Sequence, residues 1–158
     1  RPTTDFAKEG LFNILENKID IIDAAVLDLF TGTGNLSFEF TSRGAKSSIA
    51  IDISHISVRF VNEQAKKWKL PIKAFKNNVF KFLAKPVGTF DIIFADPPYA
   101  LDGIETIPDL ILQSTLLSSD GLLIVEHGKE TNFKDHPNLV DVRNYSKVNF
   151  SFFKHLVE

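Results

Sequence analysis

Phe90-Asp91-Ile92-Ile93-Phe94-Ala95-Asp96-Pro97-Pro98-Tyr99 decides the fold. The run from Phe90 to Ala95 is rich in strand formers and lacks polar/apolar alternation, which marks a strand buried on both faces. Pro97 and Pro98 have no N–H for a sheet ladder, so the strand must stop there. A buried strand ending in a stiff acidic turn belongs to an open α/β sheet, where ligands bind outside the carboxyl ends of the strands. Pro97 fixes its own φ and holds Asp96 extended, leaving the carbonyls of Asp96 and Pro97 as acceptors beside the Asp96 carboxylate. Tyr99 adds a flat ring close by. Acceptors next to a stacking platform suit a planar conjugated amine, such as the exocyclic amine of a nucleobase. Asp-Pro alone would be an ordinary turn; Asp-Pro-Pro-Tyr after a buried strand is specific.

On the amino-terminal side, Leu11, Ile14, Leu15 and Lys18 follow helical spacing within Asp5 to Lys18. Strands are predicted over Ala25 to Phe30, Ser48 to Asp52 and Ile72 to Phe75. Helices fall between and after them, over Leu36 to Ser42, about Ser54 to Trp68, and Val79 to Ala84. On the carboxyl side, Ile104 to Gln113 reads as a helix and Gly121 to Glu126 as a strand. Val140 to Tyr145 and Val148 to Phe152 alternate across Ser146-Lys147, the pattern of a hairpin. Strands alternating with helices predict a parallel sheet with right-handed crossovers, to which the hairpin adds antiparallel strands. Trp68 is expected to close its helix onto the core. Lys66, Lys67, Lys69, Lys73 and Lys76 are expected to form a solvated face, and His55 and His127 to be structural. Most of the fifteen phenylalanines read as packing.

At 158 residues the chain is one domain, residues 1–158, and its 44% apolar content suffices for a full core. No apolar run reaches membrane-spanning length and no signal-peptide pattern is present. Zero cysteines exclude disulfides and thiolate metal sites, and the four histidines lack metal-ligand spacing. The expectation is a cytoplasmic protein without a metal, most simply a monomer. A net charge of −2 supplies no global positive field. A polynucleotide partner would therefore need a local basic patch or basic residues outside this chain.

Asp28-Leu29-Phe30-Thr31-Gly32-Thr33-Gly34 offers a second site, between a strand and its helix. Glycines let backbone approach a ligand, and Asp52 ends the next strand where a carboxylate can accept from a ribose diol. Ser37 stands where a dinucleotide site would have its third glycine. Asp28 and Asp52 around Gly32 and Gly34 fit a nucleoside with an amino-acid tail, the shape of S-adenosylmethionine. A bland reading competes: the glycines close a tight turn and Asp52 caps the following helix.

The chain resembles the bacterial 16S rRNA guanine-N2 methyltransferases, a branch of the class I S-adenosylmethionine-dependent methyltransferases. The resemblance rests on Arg1-Pro2-Thr3-Thr4-Asp5, Leu11-Phe12-Asn13-Ile14-Leu15, Val26-Leu27-Asp28-Leu29-Phe30, Ser42-Arg43-Gly44-Ala45, Asp96-Pro97-Pro98-Tyr99 and Val125-Glu126-His127, in that order. It implies a Rossmann-like, mostly parallel seven-stranded sheet with helices on both faces and a C-terminal antiparallel hairpin. Asp28 and Phe30, Thr31, Gly32, Gly34 and Asn35 would lie at the methionine end of S-adenosylmethionine, Asp52 and Ile53 at the ribose, and Asn78 and Val79 at the adenine. Asp96, Pro97, Pro98 and Tyr99 would hold the target guanine, and Arg1, Thr3, Lys8 and Arg43 would contact ribosomal RNA, free or within an assembling small subunit. The sequence departs from the family in four places. The family's basic N-terminal hairpin does not precede Arg1, Phe6 replaces an arginine, Asp52 a glutamate and Asn78 an aspartate. Rival readings are a DNA adenine-N6 methyltransferase, a small-molecule or protein methyltransferase, and a nucleoside- or RNA-binding module without catalysis.

Overall fold

The structure is a computed structural model and describes residues 4–157. Seven strands form one sheet: β1 (Ala25–Leu29), β2 (Ser47–Asp52), β3 (Ile72–Lys76), β4 (Phe90–Ala95), β5 (Leu117–His127), β6 (Leu139–Tyr145) and β7 (Val148–Phe153). Their order is β3-β2-β1-β4-β5-β7-β6. The first five pair in parallel, while β7 runs antiparallel between β5 and β6. The order reverses at β1 and β4, so the switch point lies at the carboxyl ends of those two strands.

Alternation along the strands assigns side chains to two cores. Val26, Ile92, Phe94, Ile124, Phe150 and Phe152 meet α1 (Asp5–Leu15) and α2 (Asn35–Ser42) through Leu11, Phe12, Leu15 and Phe40. The rings of Phe12 and Phe40 pack edge to face at 4.8 Å. A smaller group, Ala50, Val61, Ala65, Ile72 and Ala74, seats α3 (His55–Trp68) on the same face of the sheet. On the opposite face, Leu27, Leu29, Ile93 and Leu123 meet α4 (Val79–Ala84) and α5 (Ile107–Leu112) through Val79, Leu83, Ile107 and Ile111. Each such fully buried Leu, Ile or Phe side chain contributes roughly 1.5–3 kcal/mol of transfer free energy.

Polar residues at strand starts hold the register. Asp91, the one carboxylate inside β4, accepts from the Ala25 N–H (2.9 Å) and the Ser118 hydroxyl (3.2 Å), tying three strands together. Strand β5 begins at Leu117, four residues before the predicted start. Phe90 pairs with Leu117 and Ile92 with Leu122, so Ser118-Ser119-Asp120 is an irregularity within the strand and not a loop. Helix α1 opens at Thr4, whose hydroxyl accepts the Ala7 N–H, and ends at Leu15, three residues short of the expected Lys18. Lys18 instead pairs with Asp141 at 3.0 Å. The predicted helix over Ile104 to Gln113 opens as a 3-10 turn, Ile104–Thr106, because Pro108 lies at the start of α5.

Trp68 does not close α3 onto the core: it is 63% exposed. Ala65 and Val61 already fill the contact with the sheet, and Lys69 leaves the helix in the left-handed region one residue later. Phe6, Phe60 and Phe75 are exposed as well, so the phenylalanines are mostly, not wholly, packing.

Candidate active site

The turn after β1 is built on three alternate residues at positive φ, Phe30 (61°), Gly32 (57°) and Gly34 (82°). Glycine adopts this region freely; a phenylalanine does so at a cost of roughly 1–2 kcal/mol. Asp28 fixes the turn from below. Its Oδ2 accepts from the hydroxyls of Thr31 and Ser37, each at 2.6 Å. With its proton directed at Asp28, the Ser37 hydroxyl accepts from Ser48 at 2.8 Å. Ser37 is therefore a small residue where β1 and α2 approach, and one that also satisfies a buried carboxylate. Burial pushes the Asp28 carboxyl up to about 6; the hydrogen bonds from Ser37 and Thr31 oppose the rise and the charge of Asp52 adds to it.

Asp52, at the end of β2, joins the two loops. Its Oδ2 accepts the Gly32 N–H and its Oδ1 the Ser54 N–H, both at 2.8 Å. Helix α3 itself is capped by the Ser54 hydroxyl, which accepts the Ser57 N–H. Asp52 therefore does not cap α3, as the bland reading supposed; it ties the Gly32 turn to the helix entry, and its carboxylate also lines the open space beside Gly32. Asn78 caps α4 by accepting the Lys81 N–H at 3.2 Å, and Val79 behind it is buried.

The end of β4 lies beside this turn, the Asp96 N–H donating to the Leu29 carbonyl at 3.3 Å. Asp96 is half-buried, Pro97 buried, and Pro98 and Tyr99 face outward. The Pro98 carbonyl accepts the Leu101 N–H, closing the turn. Beneath Tyr99 lies Gly128, where an added Cβ would stand 3.0 Å from the ring. His127 holds that backbone: its Nδ1 donates to the Gly128 carbonyl (2.9 Å), which leaves Nε2 to accept the Ser151 hydroxyl (2.7 Å). Burial lowers the His127 pKa, which favours this neutral ring.

A single cleft of about 650 Å³ runs between the two turns. Asp28, Phe30, Thr31, Gly32, Asn35, Asp52, Ile53, Asn78 and Val79 line it together with Asp96, Pro98 and Tyr99. Of the residues expected at the two sites, Pro97 and Gly34 stand behind the lining. A Cβ at Gly34 would meet Phe38 and Val61 at 2.9 Å, so close helix packing requires glycine there. A Cβ at Gly32 would meet nothing within 4 Å, leaving space against bare backbone. The sequence reading missed Leu36, Phe80, Phe94, Ala100 and Leu101, which also line the cleft, as does Thr33 within the expected Phe30 to Asn35 turn. Phe94 was within reach, since alternation along β4 aligns it with the Asp28 face. Gly128 had no local signal, because its role is to lie under a ring 29 residues away in sequence.

The lining has a decided electrostatic character. Among the described residues it contains three carboxylates, Asp28, Asp52 and Asp96, and no lysine, arginine or histidine. Such a cleft disfavours a pyrophosphate and favours a ligand carrying positive charge. The described residues include no group of three or more His, Cys, Asp or Glu placed to hold a metal, and no helix long and apolar enough to cross a membrane.

The expected RNA contacts are scattered. Arg1 and Thr3 lie outside the described residues. Lys8 sits near the rim, its Nζ donating to Asn35 at 3.0 Å and pairing with Glu39 at 3.5 Å. Arg43 is at the far end of α2, roughly 12 Å along the helix axis from Asn35. There it lies over the Phe12 ring and pairs with Glu39 and Glu16, away from the cleft lining.

Comparison with known proteins agrees with this architecture. "Ribosomal RNA small subunit methyltransferase D" of Buchnera aphidicola is 32% identical over 133 residues, 84% of this chain and 67% of that protein. "Putative protein N5-glutamine methyltransferase MJ0928" of Methanocaldococcus jannaschii is 33% identical over a shorter 86 residues, 54% of this chain and 42% of that one. The solved structure described as "Putative methyltransferase yhhF from Escherichia coli" superposes with a TM-score of 0.87 at 27% identity, covering all of this chain and 89% of its own. The conserved hypothetical protein 95 family matches residues 1–154, nearly the full 158, and the chain belongs to that family.

Proposed function

We propose that this chain transfers a methyl group from S-adenosylmethionine to the exocyclic N2 amine of a guanine in small-subunit ribosomal RNA. The observation that carries the reading is the shared cleft, with the Gly32 turn and Asp52 on one wall and Asp96, Pro98 and Tyr99 on the other. The residues fit the cofactor. The cleft volume lies in the usual range for small-molecule sites, and its carboxylates suit a sulfonium and an ammonium. Asp52 would accept from the ribose diol, Ile53 and Val79 would border the adenine, and the Phe30–Asn35 turn would receive the amino-acid tail. When bound, the cofactor supplies an electrophilic methyl on a leaving group that departs as a neutral thioether.

The chain's own residues do the rest. The guanine N2 amine is a weak nucleophile because its lone pair is delocalised into the ring. A hydrogen bond from that amine to Asp96 favours a pyramidal nitrogen and stabilises the positive charge that grows on it. Tyr99 offers its exposed face to a base taken out of its stack. Gly128, held by His127, keeps the ring in place. The departing proton becomes acidic only after attack, so Asp96 acts as an electrostatic partner and not as an obligatory base.

A second reading has one observation in its favour. The side-chain amide of glutamine is also a planar conjugated amine, and the Methanocaldococcus relative is named for that substrate. Tritiated methyl transfer to naked ribosomal RNA, assembled small subunits, DNA and protein, followed by nucleoside analysis, separates the readings. Label in N2-methylguanosine is expected. Label confined to protein or to DNA adenine would overturn the assignment.

A further inference from the structure

Helix α3 presents a feature that neither the fold nor the cofactor cleft uses. Ile56, Phe60, Gln64 and Trp68 recur every four residues and so share one face. That face is open to solvent: Ile56, Phe60 and Trp68 are 78%, 43% and 63% exposed. Phe60 and Trp68 stand on one side of a groove of about 470 Å³, and Phe38 on α2 stands on the other. Thr33 and Asn35 line both this groove and the cofactor cleft, so the two adjoin.

The charge around the groove identifies its occupant. Helix α3 with its cap residue carries Arg59, Lys66, Lys67 and Lys69 against Glu63, a local balance of +3 in a chain whose net charge is −2. The Lys67 ammonium lies 5.4 Å from the Trp68 ring centroid, beside the aromatic surface. The acid on the groove wall, Glu39, is already neutralised by Arg43 at 2.8 Å and Lys8 at 3.5 Å. Exposed aromatic rings interleaved with cations, opening onto a methyl-transfer cleft, match the way single-stranded nucleic acid is held: bases stack on the rings and phosphates meet the cations.

We propose that this groove docks the single-stranded RNA flanking the target nucleotide, with Phe60 and Trp68 as stacking platforms and Lys66 and Lys67 as phosphate contacts. The proposal rests on the RNA-methylation reading. Phe60 and Trp68 lie roughly 12 Å apart along the helix, a span of several base steps.

Trp68 is the sole tryptophan, so its fluorescence reports occupancy directly. Titration with a short single-stranded oligoribonucleotide is expected to quench it saturably, and added salt to weaken the binding. Measured by anisotropy of labelled RNA, W68A and F60A are each expected to bind about 10-fold more weakly, and W68F to recover most of the loss. Calorimetry with S-adenosylhomocysteine checks that each variant is folded, since neither residue lines the cofactor cleft. RNA affinities within about twofold of the parent for both alanine variants would overturn the proposal. So would quenching by isolated ribosomal proteins but not by RNA, which would make this face a protein-docking surface. Methyl transfer to RNA with an unchanged KM in both variants would sink the groove and leave the activity standing. RNA-dependent quenching without methyl transfer to any RNA would do the reverse.

Discussion

Asp28→Asn removes a buried negative charge while leaving an oxygen that can still accept from Thr31 and Ser37. In the parent, burial raises the Asp28 carboxyl from 3.8 to about 6. A shift of roughly two units corresponds to about 3 kcal/mol between the protonation states. The sign follows from proton counting. Between pH 4 and 6 the folded chain binds a proton at Asp28 that the unfolded chain has released, so stability falls as pH rises. The contribution is fully present below pH 4 and lost above about 6. Asparagine has no such dependence. The stability difference, variant minus parent, should therefore climb by up to about 3 kcal/mol from pH 4 to 7 and then level off. Taking the difference cancels the other titrating groups, among them Glu39 and Asp141. In both of these, burial opposes ionisation but the neighbouring cations outweigh it and lower the pKa. Urea unfolding followed by far-UV circular dichroism at closely spaced pH values gives the curve. A flat difference between pH 4 and 7 would refute the assignment of a strained, ionised carboxylate beneath the turn. Ser37→Ala supplies a second check: losing a bond to the charged form should move the climb to higher pH.

Asp96→Ala should lower methyl turnover by roughly 10²–10⁴ and change S-adenosylhomocysteine affinity little, since its proposed partner is the target amine; near-normal tritium transfer would remove it from the mechanism. Asp52→Ala takes a charged acceptor from both the Gly32 and Ser54 N–H groups as well as from the ligand. Cofactor affinity should drop roughly 10- to 100-fold, as for loss of a charge-assisted hydrogen bond, and an unchanged dissociation constant by calorimetry would contradict the ribose role. Gly128→Ala places a methyl 3.0 Å from the Tyr99 ring without any left-handed backbone to strain. Turnover should fall about 10-fold through displacement of the ring, with cofactor binding unaltered; full activity would show that the platform tolerates movement.

The parallel sheet was legible because buried strands announce themselves as apolar runs, and both turns because Gly32, Gly34, Pro97 and Pro98 act on their own backbone. What failed to show was set at long range. Leu117 to Asp120 lay outside the predicted strand, and they join β5 through distant partners: Leu117 pairs with Phe90 and Ser118 donates to Asp91 on β4. Trp68 is the kind of residue cores usually claim, yet Ala65 and Val61 had already met the sheet. Arg43 follows a strong local motif, but α2 runs away from the cleft and carries its C-cap residue, Arg43, with it. Asp28 was read as a ligand contact from its place before the glycines. The side-chain bonds it accepts make it also the anchor of the turn, a role visible only once Ser37 and Thr31 are brought to it.

The distribution of charge separates two tasks that one enzyme must perform. A cleft lined by Asp28, Asp52 and Asp96 attracts a cationic cofactor but repels the phosphates of the RNA whose base must enter it. At separations beyond a Debye length of about 8 Å that repulsion is screened at physiological salt, but at the cleft mouth it is not. The polyanion must therefore be held by cations set back from the rim, close enough to deliver one base and far enough not to neutralise the carboxylates. Lys66 and Lys67 satisfy both conditions, being near the C-terminal end of α3 while Asp52 stands before its N-terminal end. The part of α3 from His55 to Lys66, a rise of roughly 17 Å, is the spacer that keeps the two fields apart.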